Sequence, residues 1–353
     1  MNALSCGAHP RYHRAMPRLL YIALAMGLIG CIGADSDRGD IVTYENSDGP
    51  PDHVEVGDLD ADPRDSDELT PPEEFERPQE SEEPPDDAPP PKDLTLGPDD
   101  RLAPLLLPED PGDDPLPLVV LLHGYGFSAA YQDRYFGLSE AQADRPFYLM
   151  LPQGSTDLMG QPFWNATSYC CDFYGSGIDD RSYLADLIDE ARQHPDLDVD
   201  SVHLVGHSNG GFMAYELACD PSISVDSVVA LGASSRASAS SCSPSHPVST
   251  LHIHGSMDAV IYYSGVFAIY PGARALARRW ADLNDCSSTS AIDDYIALEA
   301  LIPGNETSRR RYDQCPSDAP VELWTILGGA HIPTLNDRFT DHILDFSLSA
   351  TPD

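Results

Sequence analysis

The chain is almost without lysine: Lys92 is the only one among 353 residues. Chemistry that needs an ammonium group, such as a Schiff base, a phosphate-binding P-loop or a Ser-Lys dyad, is excluded wherever Lys92 cannot reach. Positive charge is scarce altogether. Twenty Lys and Arg stand against 58 Asp and Glu, a formal net charge of −38, so no nucleic-acid partner is expected. Residues 19–30 are the only candidate for a membrane segment, and they are too few to span a bilayer. No C-x-x-C pair and no internal repeat occur. A zinc site is therefore not expected, and neither a metal nor an organic cofactor is.

What is present begins with an export signal. Arg11, Arg14 and Arg18 precede the apolar run, which ends Leu28-Ile29-Gly30-Cys31. A basic flank, a short apolar stretch and a small residue before cysteine resemble the bacterial lipobox. Residues 1–30 are expected to be a lipoprotein signal peptide. Cys31 would then carry lipid and hold the protein at the outer face of a bacterial membrane; ordinary cleavage would give a secreted protein. Eight cysteines agree with an oxidising compartment. Residues 31–100 read as an acidic, proline-rich tether: 34–100 hold 24 acidic and 4 basic side chains with 12 prolines. Such composition cannot bury enough apolar surface to offset chain entropy.

Residues 101–353 form the third expected unit, a single catalytic domain. Leu116–Leu122 is a near-continuous apolar run, as in a strand buried on both faces. Runs at 147–151, 202–205, 225–231, 251–253 and 321–326 repeat it. Between them, 181–193, 211–219 and 273–283 carry helical periodicity. Alternation of this kind predicts an α/β fold, a mostly parallel sheet with helices on both faces.

The chemistry concentrates at Gly206-His207-Ser208-Asn209-Gly210-Gly211, between a strand-like and a helix-like segment. A serine on so sharp a turn needs neighbours without Cβ atoms, and the helix start behind it favours developing negative charge. A serine hydroxyl also needs a base oriented by an acid, and on such turns the order along the chain is Ser, Asp or Glu, His. His331 follows the last strand-like run, whereas His342 sits inside the terminal helix. Asp258 lies just beyond a strand end, whereas Asp226 precedes its strand. The expected triad is Ser208, Asp258 and His331. Backbone N–H groups of Asn209 and of Tyr125, in His123-Gly124-Tyr125-Gly126, are the expected oxyanion donors. His123 is read as structural support for that loop, and the His207 side chain as projecting away from the nucleophile.

These segments, with Leu151-Pro152-Gln153-Gly154, Cys170-Cys171, Asp179-Asp180, His254-Gly255-Ser256-Met257-Asp258 and Gly329-Ala330-His331, resemble exported esterases related to polyhydroxybutyrate depolymerases, feruloyl esterases and acetyl xylan esterases. The resemblance implies the α/β-hydrolase fold and hydrolysis of a carboxylic ester through an acyl-enzyme, with a polymeric or plant-cell-wall ester as partner. Pro333 and Ala330 depart from the family pattern around the catalytic histidine, and no polymer-binding module is visible. Rival readings are an exported peptidase or amidase on the same fold, and a surface-anchored binding protein with a vestigial triad.

Two expectations concern the loop after residue 154. Its aromatics, Phe163, Trp164 and Tyr169 among them, either stack on the substrate or form a lid pinned by its own cysteines and rings. Six cysteines remain in the domain, implying three disulfides. Cys286 is expected to pair with Cys315 across a polar stretch with little core of its own. Cys170 and Cys171 are expected to pair with Cys219 and Cys242 rather than with each other, because an eight-membered ring strains the intervening peptide.

Overall fold

The computed structural model describes residues 94–349, apart from Ser241, Asp313, Ser317 and Asp318. The signal segment, Cys31, Lys92 and all but the last seven residues of the expected tether lie outside the described residues. Every cationic side chain in the described body other than histidine is therefore arginine.

The strands, in chain order, are β1 (Leu94–Leu96), β2 (Ala103–Leu106), β3 (Leu116–Leu122), β4 (Tyr148–Met150), β5 (Ser155–Thr156), β6 (Pro162–Phe163), β7 (Val199–His207), β8 (Ser227–Leu231), β9 (Ser249–Gly255), β10 (Gly265–Val266), β11 (Tyr270–Pro271), β12 (Ser290–Ile296), β13 (Thr307–Tyr312) and β14 (Val321–Ile326). The helices are α1 (Ala129–Phe136), α2 (Leu138–Ala141), α3 (Asp180–Gln193), α4 (Asn209–Ala218), α5 (Ala273–Leu283) and α6 (Phe339–Ser347). Ten strands make one sheet in the order β1-β2-β4-β3-β7-β8-β9-β14-β13-β12. The six from β4 to β14 run parallel, and two antiparallel strands flank them on each side.

Strand pleating sorts the apolar side chains into two layers. On β3, Leu118, Val120 and Leu122 face one layer with α3, α4 and α5, which adds Leu184, Phe212 and Trp280. Val119 and Leu121 face the other with α1, α2 and α6, which adds Phe136, Leu138, Phe339 and Ile343. Helix starts follow from local chemistry. Ser128 accepts the Tyr131 N–H ahead of α1, and Asp179 accepts the Ser182 N–H ahead of α3. The expected fold class is found.

Three expectations need correction. The folded body starts before residue 101, because Leu94–Leu96 already pairs with β2. Two leucines inside so acidic a stretch leave almost no trace in composition, yet the sheet edge supplies backbone partners. The polar stretch between Cys286 and Cys315, which are disulfide-bonded as expected, is not a plain loop. It contains β12 and β13, extending the sheet past β14. Arg309 lies opposite Asp294 at 3.3 Å and over the Trp324 ring at 5.1 Å. Finally, Cys219 pairs with Cys242, and Cys170 pairs with Cys171 across a cis peptide. Helix length explains the change: the Cys170 sulfur touches Asn209 at the start of α4, while Cys219 caps its far end. Ten residues of helix separate those ends by about 15 Å, beyond any disulfide.

The parallel strands also bury imidazoles. His203 on β7 contacts Ser201 Oγ and Ser227 Oγ, each at 2.9 Å, and Ser227 reaches Ser347 of α6. Burial pushes its pKa down to about 3, that of His207 to about 3, that of His123 to about 4, and that of His252 well below the usual value. All four folded-state values lie below the unfolded value of about 6.5, so the unfolded chain binds protons that the folded chain refuses. Stability should fall as pH drops from about 6.5 toward about 4, by about 1.4 kcal/mol per pH unit for each imidazole. Denaturation at pH 5 should take up about four more protons than denaturation at pH 8. Calorimetry in buffers of different ionisation enthalpy measures this, and an excess below about one proton would mean these rings are charged in the fold.

Candidate active site

Strand β7 ends at His207 and α4 starts at Asn209, leaving one residue, Ser208, to turn the chain. It does so at φ 51°, ψ −118°, a left-handed conformation that L-residues adopt only under constraint. The constraint is close packing of bare backbone. A Cβ on Gly206 would lie 2.5 Å from the Gly210 carbonyl, and one on Gly210 would lie 2.1 Å from the Leu122 oxygen of β3. Gly211 belongs to the same contact, since a Cβ there would meet the Ala233 Cβ at 2.5 Å.

The carboxyl edge of the parallel sheet brings the three expected residues together. His331, on the loop after β14, lies with Nε2 2.9 Å from Ser208 Oγ and Nδ1 2.8 Å from Asp258 Oδ2. Asp258, on the loop after β9, accepts the Val260 and Ile261 N–H groups on Oδ1, both at 2.8 Å. Its Oδ2 receives His331 and, at 3.2 Å, His254. Burial alone would raise this carboxyl's pKa. The hydrogen bonds from His254 and His331 overcome it and hold the group well below the usual carboxylate range. The rejected alternatives lie elsewhere: Asp226 accepts the Val202 N–H at the opposite strand end, and His342 sits on α6 against Trp324.

The expected oxyanion donors sit on two loops tied to each other. Asn209 opens α4, so its N–H has no intrahelical partner. Its side chain accepts the Trp164 N–H at 2.7 Å and donates to the Trp164 carbonyl at 2.9 Å. Trp164 Nε1 donates to the His123 carbonyl at 3.0 Å. His123 donates from Nδ1 to the Gly124 carbonyl and accepts the Gly154 N–H on Nε2. It is the loop support expected of it, placing the Tyr125 backbone. The Tyr125 ring meets Phe173 edge-on at 5.3 Å, and its hydroxyl donates to Asp157.

Of the two readings of the loop aromatics, substrate contact or a pinned lid, burial favours the second for Phe163 and Trp164, which are fully buried. Their rings fill the core beneath the loop, so they act as its anchors. Tyr169 is half-buried, and its hydroxyl is spent on the Ser235 carbonyl at 2.7 Å. The exposed aromatics of the loop are Phe173 and Tyr174. Asp180 fixes the loop from below, accepting the Asn165 N–H at 2.6 Å and pairing with Arg101 at 2.7 Å. A polar hollow of about 400 Å³ beside Thr167, Arg181, Glu216 and Arg236 contains none of the three catalytic candidates. Its arginines are already paired with Asp220 and Glu216.

Sequence reasoning missed the groups that hold the His331 loop. His207, fully buried, donates from Nε2 to the His331 carbonyl at 3.1 Å. Tyr135 donates to the Pro333 carbonyl at 2.7 Å. Glu299 accepts the Thr334 N–H at 2.8 Å. None carries a motif, and only the adjacency of His207 to the serine marked it.

With this geometry in view, the comparisons with known proteins decide the family. Residues 119–341 match the model of the alpha/beta hydrolase family. The chain belongs to that family. Among its relatives is feruloyl esterase B of Piromyces equi, 25% identical over 252 residues, covering 67% of this chain and 43% of that protein. The chain thus spans less than half that relative's length. Similar solved structures include acetyl xylan esterase from Aspergillus awamori, at 14% identity, 72% coverage of this chain, 98% of that chain and TM-score 0.49. Another is a Bacillus cereus carboxylesterase, at 16% identity, 52% and 80% coverage and TM-score 0.40.

The backbone strain at Ser208 generates a test of its own. Glycine accepts this φ without steric cost, so Ser208→Gly should be more stable than Ser208→Ala by about 1 kcal/mol. For a body of this size that is about 2–4 °C in Tm. Thermal melts of the two variants check it, and equal values would show that the turn is unstrained.

Proposed function

We propose that this hydrolase is a serine esterase working through an acyl-enzyme. The observation that carries the reading is the continuous contact from Asp258 through His331 to Ser208 at 2.8 and 2.9 Å. In the proposed cycle Ser208 Oγ attacks the ester carbonyl carbon while His331 Nε2 takes its proton. The carbonyl oxygen, now anionic, is held by the Tyr125 and Asn209 N–H groups at the mouth of α4. Collapse expels the alcohol, which leaves with the proton from His331. Water then attacks the acyl-enzyme by the same route, releasing the acid and restoring Ser208. Asp258 stays ionised throughout and stabilises the imidazolium.

The similarity to a feruloyl esterase supports a carboxylic ester as substrate, and the exposed rings of Phe173 and Tyr174 near Tyr125 suit an aromatic acyl group. A fluorophosphonate should label Ser208, and Ser208→Ala should lose about 10⁴-fold or more in ester turnover with the fold intact. A screen over short p-nitrophenyl esters, methyl ferulate, acetylated xylan and polyhydroxybutyrate, with a peptide amide alongside, assigns the substrate. Near wild-type hydrolysis by pure Ser208→Ala would overturn the mechanism, and turnover of the amide alone would favour the peptidase reading.

The proposal includes export. The reading rests on residues 1–31 of the sequence and is supported by three disulfides, which persist in oxidising compartments. In a bacterial host, Cys31→Ser should move the protein from the membrane fraction to the soluble one with unchanged activity. Equal release of wild type and variant would mean a simple secretory signal.

A further inference from the structure

Behind Asp258, three polar side chains in the apolar layer join end to end. Tyr215, on α4, contacts His252 Nδ1 at 3.0 Å. His252 Nε2 contacts His254 Nδ1 at 3.0 Å, both residues lying on β9. His254 Nε2 lies 2.8 Å from the Ile261 carbonyl and 3.2 Å from Asp258 Oδ2. Tyr215, His252 and His254 are all essentially without solvent exposure. The proposed mechanism uses none of them.

The far end of this chain dictates its protons. A carbonyl and a carboxylate only accept, so His254 Nε2 carries hydrogen. In the resulting directional arrangement, His254 accepts on Nδ1 and His252 donates from Nε2. His252 in turn accepts on Nδ1, and the Tyr215 hydroxyl must be the donor. From the other side, His331 Nδ1–H donates to the same oxygen of Asp258. Every hydrogen bond in the sequence Tyr215, His252, His254 points toward the carboxylate.

We infer that His254, oriented by His252 and Tyr215, is a positioning residue that fixes the Asp258 carboxylate so that its Oδ2 faces His331. The inference rests on the proposed esterase reading, in which Asp258 orients the base. With Val260 and Ile261 on Oδ1 and His331 on Oδ2, the carboxylate has three hydrogen-bond donors, and the His254 Nε2–H, shared with the Ile261 carbonyl, lies against Oδ2 as the fourth contact. Without His254, Oδ2 would concentrate its charge on the imidazolium of His331 and rotate more freely. The ionisable groups packed around the chain are Tyr263, edge-on to His254 at 5.6 Å, Tyr270, whose hydroxyl accepts the Tyr262 N–H, and His207 beside His331. Trp280 stacks on Tyr215 at 5.7 Å and closes the far end.

Side-chain nitrogen NMR of the histidines, with kinetics of His254 variants, tests the inference. In the wild type, His252 and His254 should both carry hydrogen on Nε2 and accept on Nδ1; hydrogen on Nδ1 of His254 would overturn the directional chain. His254→Leu should lower kcat about 10- to 100-fold with KM within about threefold. It should also move the acid limb of the kcat/KM profile to higher pH and alter the low-field resonance of the His331 Nδ1–H. His254→Gln, whose amide can accept from His252 and donate to Asp258, should restore most of the rate and the limb. Unchanged kcat and pH profile in a folded His254→Leu, or equal losses in the Leu and Gln variants, would reduce the chain to packing. If His254→Leu does not fold, the tautomers and the Gln variant decide. A wild type that hydrolyses no ester would fail the functional reading alone, because the tautomers and the His331 resonance are read without substrate.

Discussion

The site depends on a place where backbone touches backbone. The start of α4, the end of β7 and the carbonyl of Leu122 on β3 meet closer than any side chain would permit. That contact forces Ser208 into its left-handed turn and lifts its hydroxyl above the sheet. It also aims the free N–H groups of α4 at the space beside that hydroxyl. In the proposed reading, the rest of the site brings a base and donors to that fixed point. His331 and Asp258 arrive from β14 and β9, whose registers on the sheet set how far along the edge their loops begin.

Around that point the protein uses buried hydrogen bonds in preference to apolar packing. His123, His207, His252 and His254 each have a ring nitrogen paired with a carbonyl, an N–H group or another ring. A buried network of this kind gains little net stability, but its paired members have few alternative arrangements. The loop bearing Trp164 follows the same logic. Asn209 reads both the N–H and the carbonyl of Trp164, so the residue after Ser208 also holds the loop carrying the vicinal disulfide.

Central elements were legible because two effects agreed in them. Leu116–Leu122, Ala273–Leu283 and Val321–Ile326 have the limits their periodicity predicts, since burial selects their residues directly. Ser208, Asp258 and His331 were legible from motif and chain order, and the structure brings them within hydrogen-bonding distance. The outer strands were not. Thr307–Tyr312 contains three successive arginines, which read as loop; it is a strand because β14 offers a ladder and Asp294 and Glu322 face the charges. Trp164 stayed open between two readings for a related reason: an aromatic near a strand's carboxyl end has the same composition whether it faces substrate or core. The Cys170–Cys171 bond depended on where α4 ends in space, which spacing along the chain does not encode.

The lysine-free body has a consequence for handling the protein. Arginine holds its proton to pH values where lysine has lost it, and the ion pairs Arg101–Asp180 and Arg236–Glu216 are both built on it. Reagents that acylate amines find no side-chain target between residues 94 and 349. Coupling of amines to an activated resin or a succinimidyl dye then goes through Lys92 or a terminal amine, so no amine at the candidate active-site edge is modified.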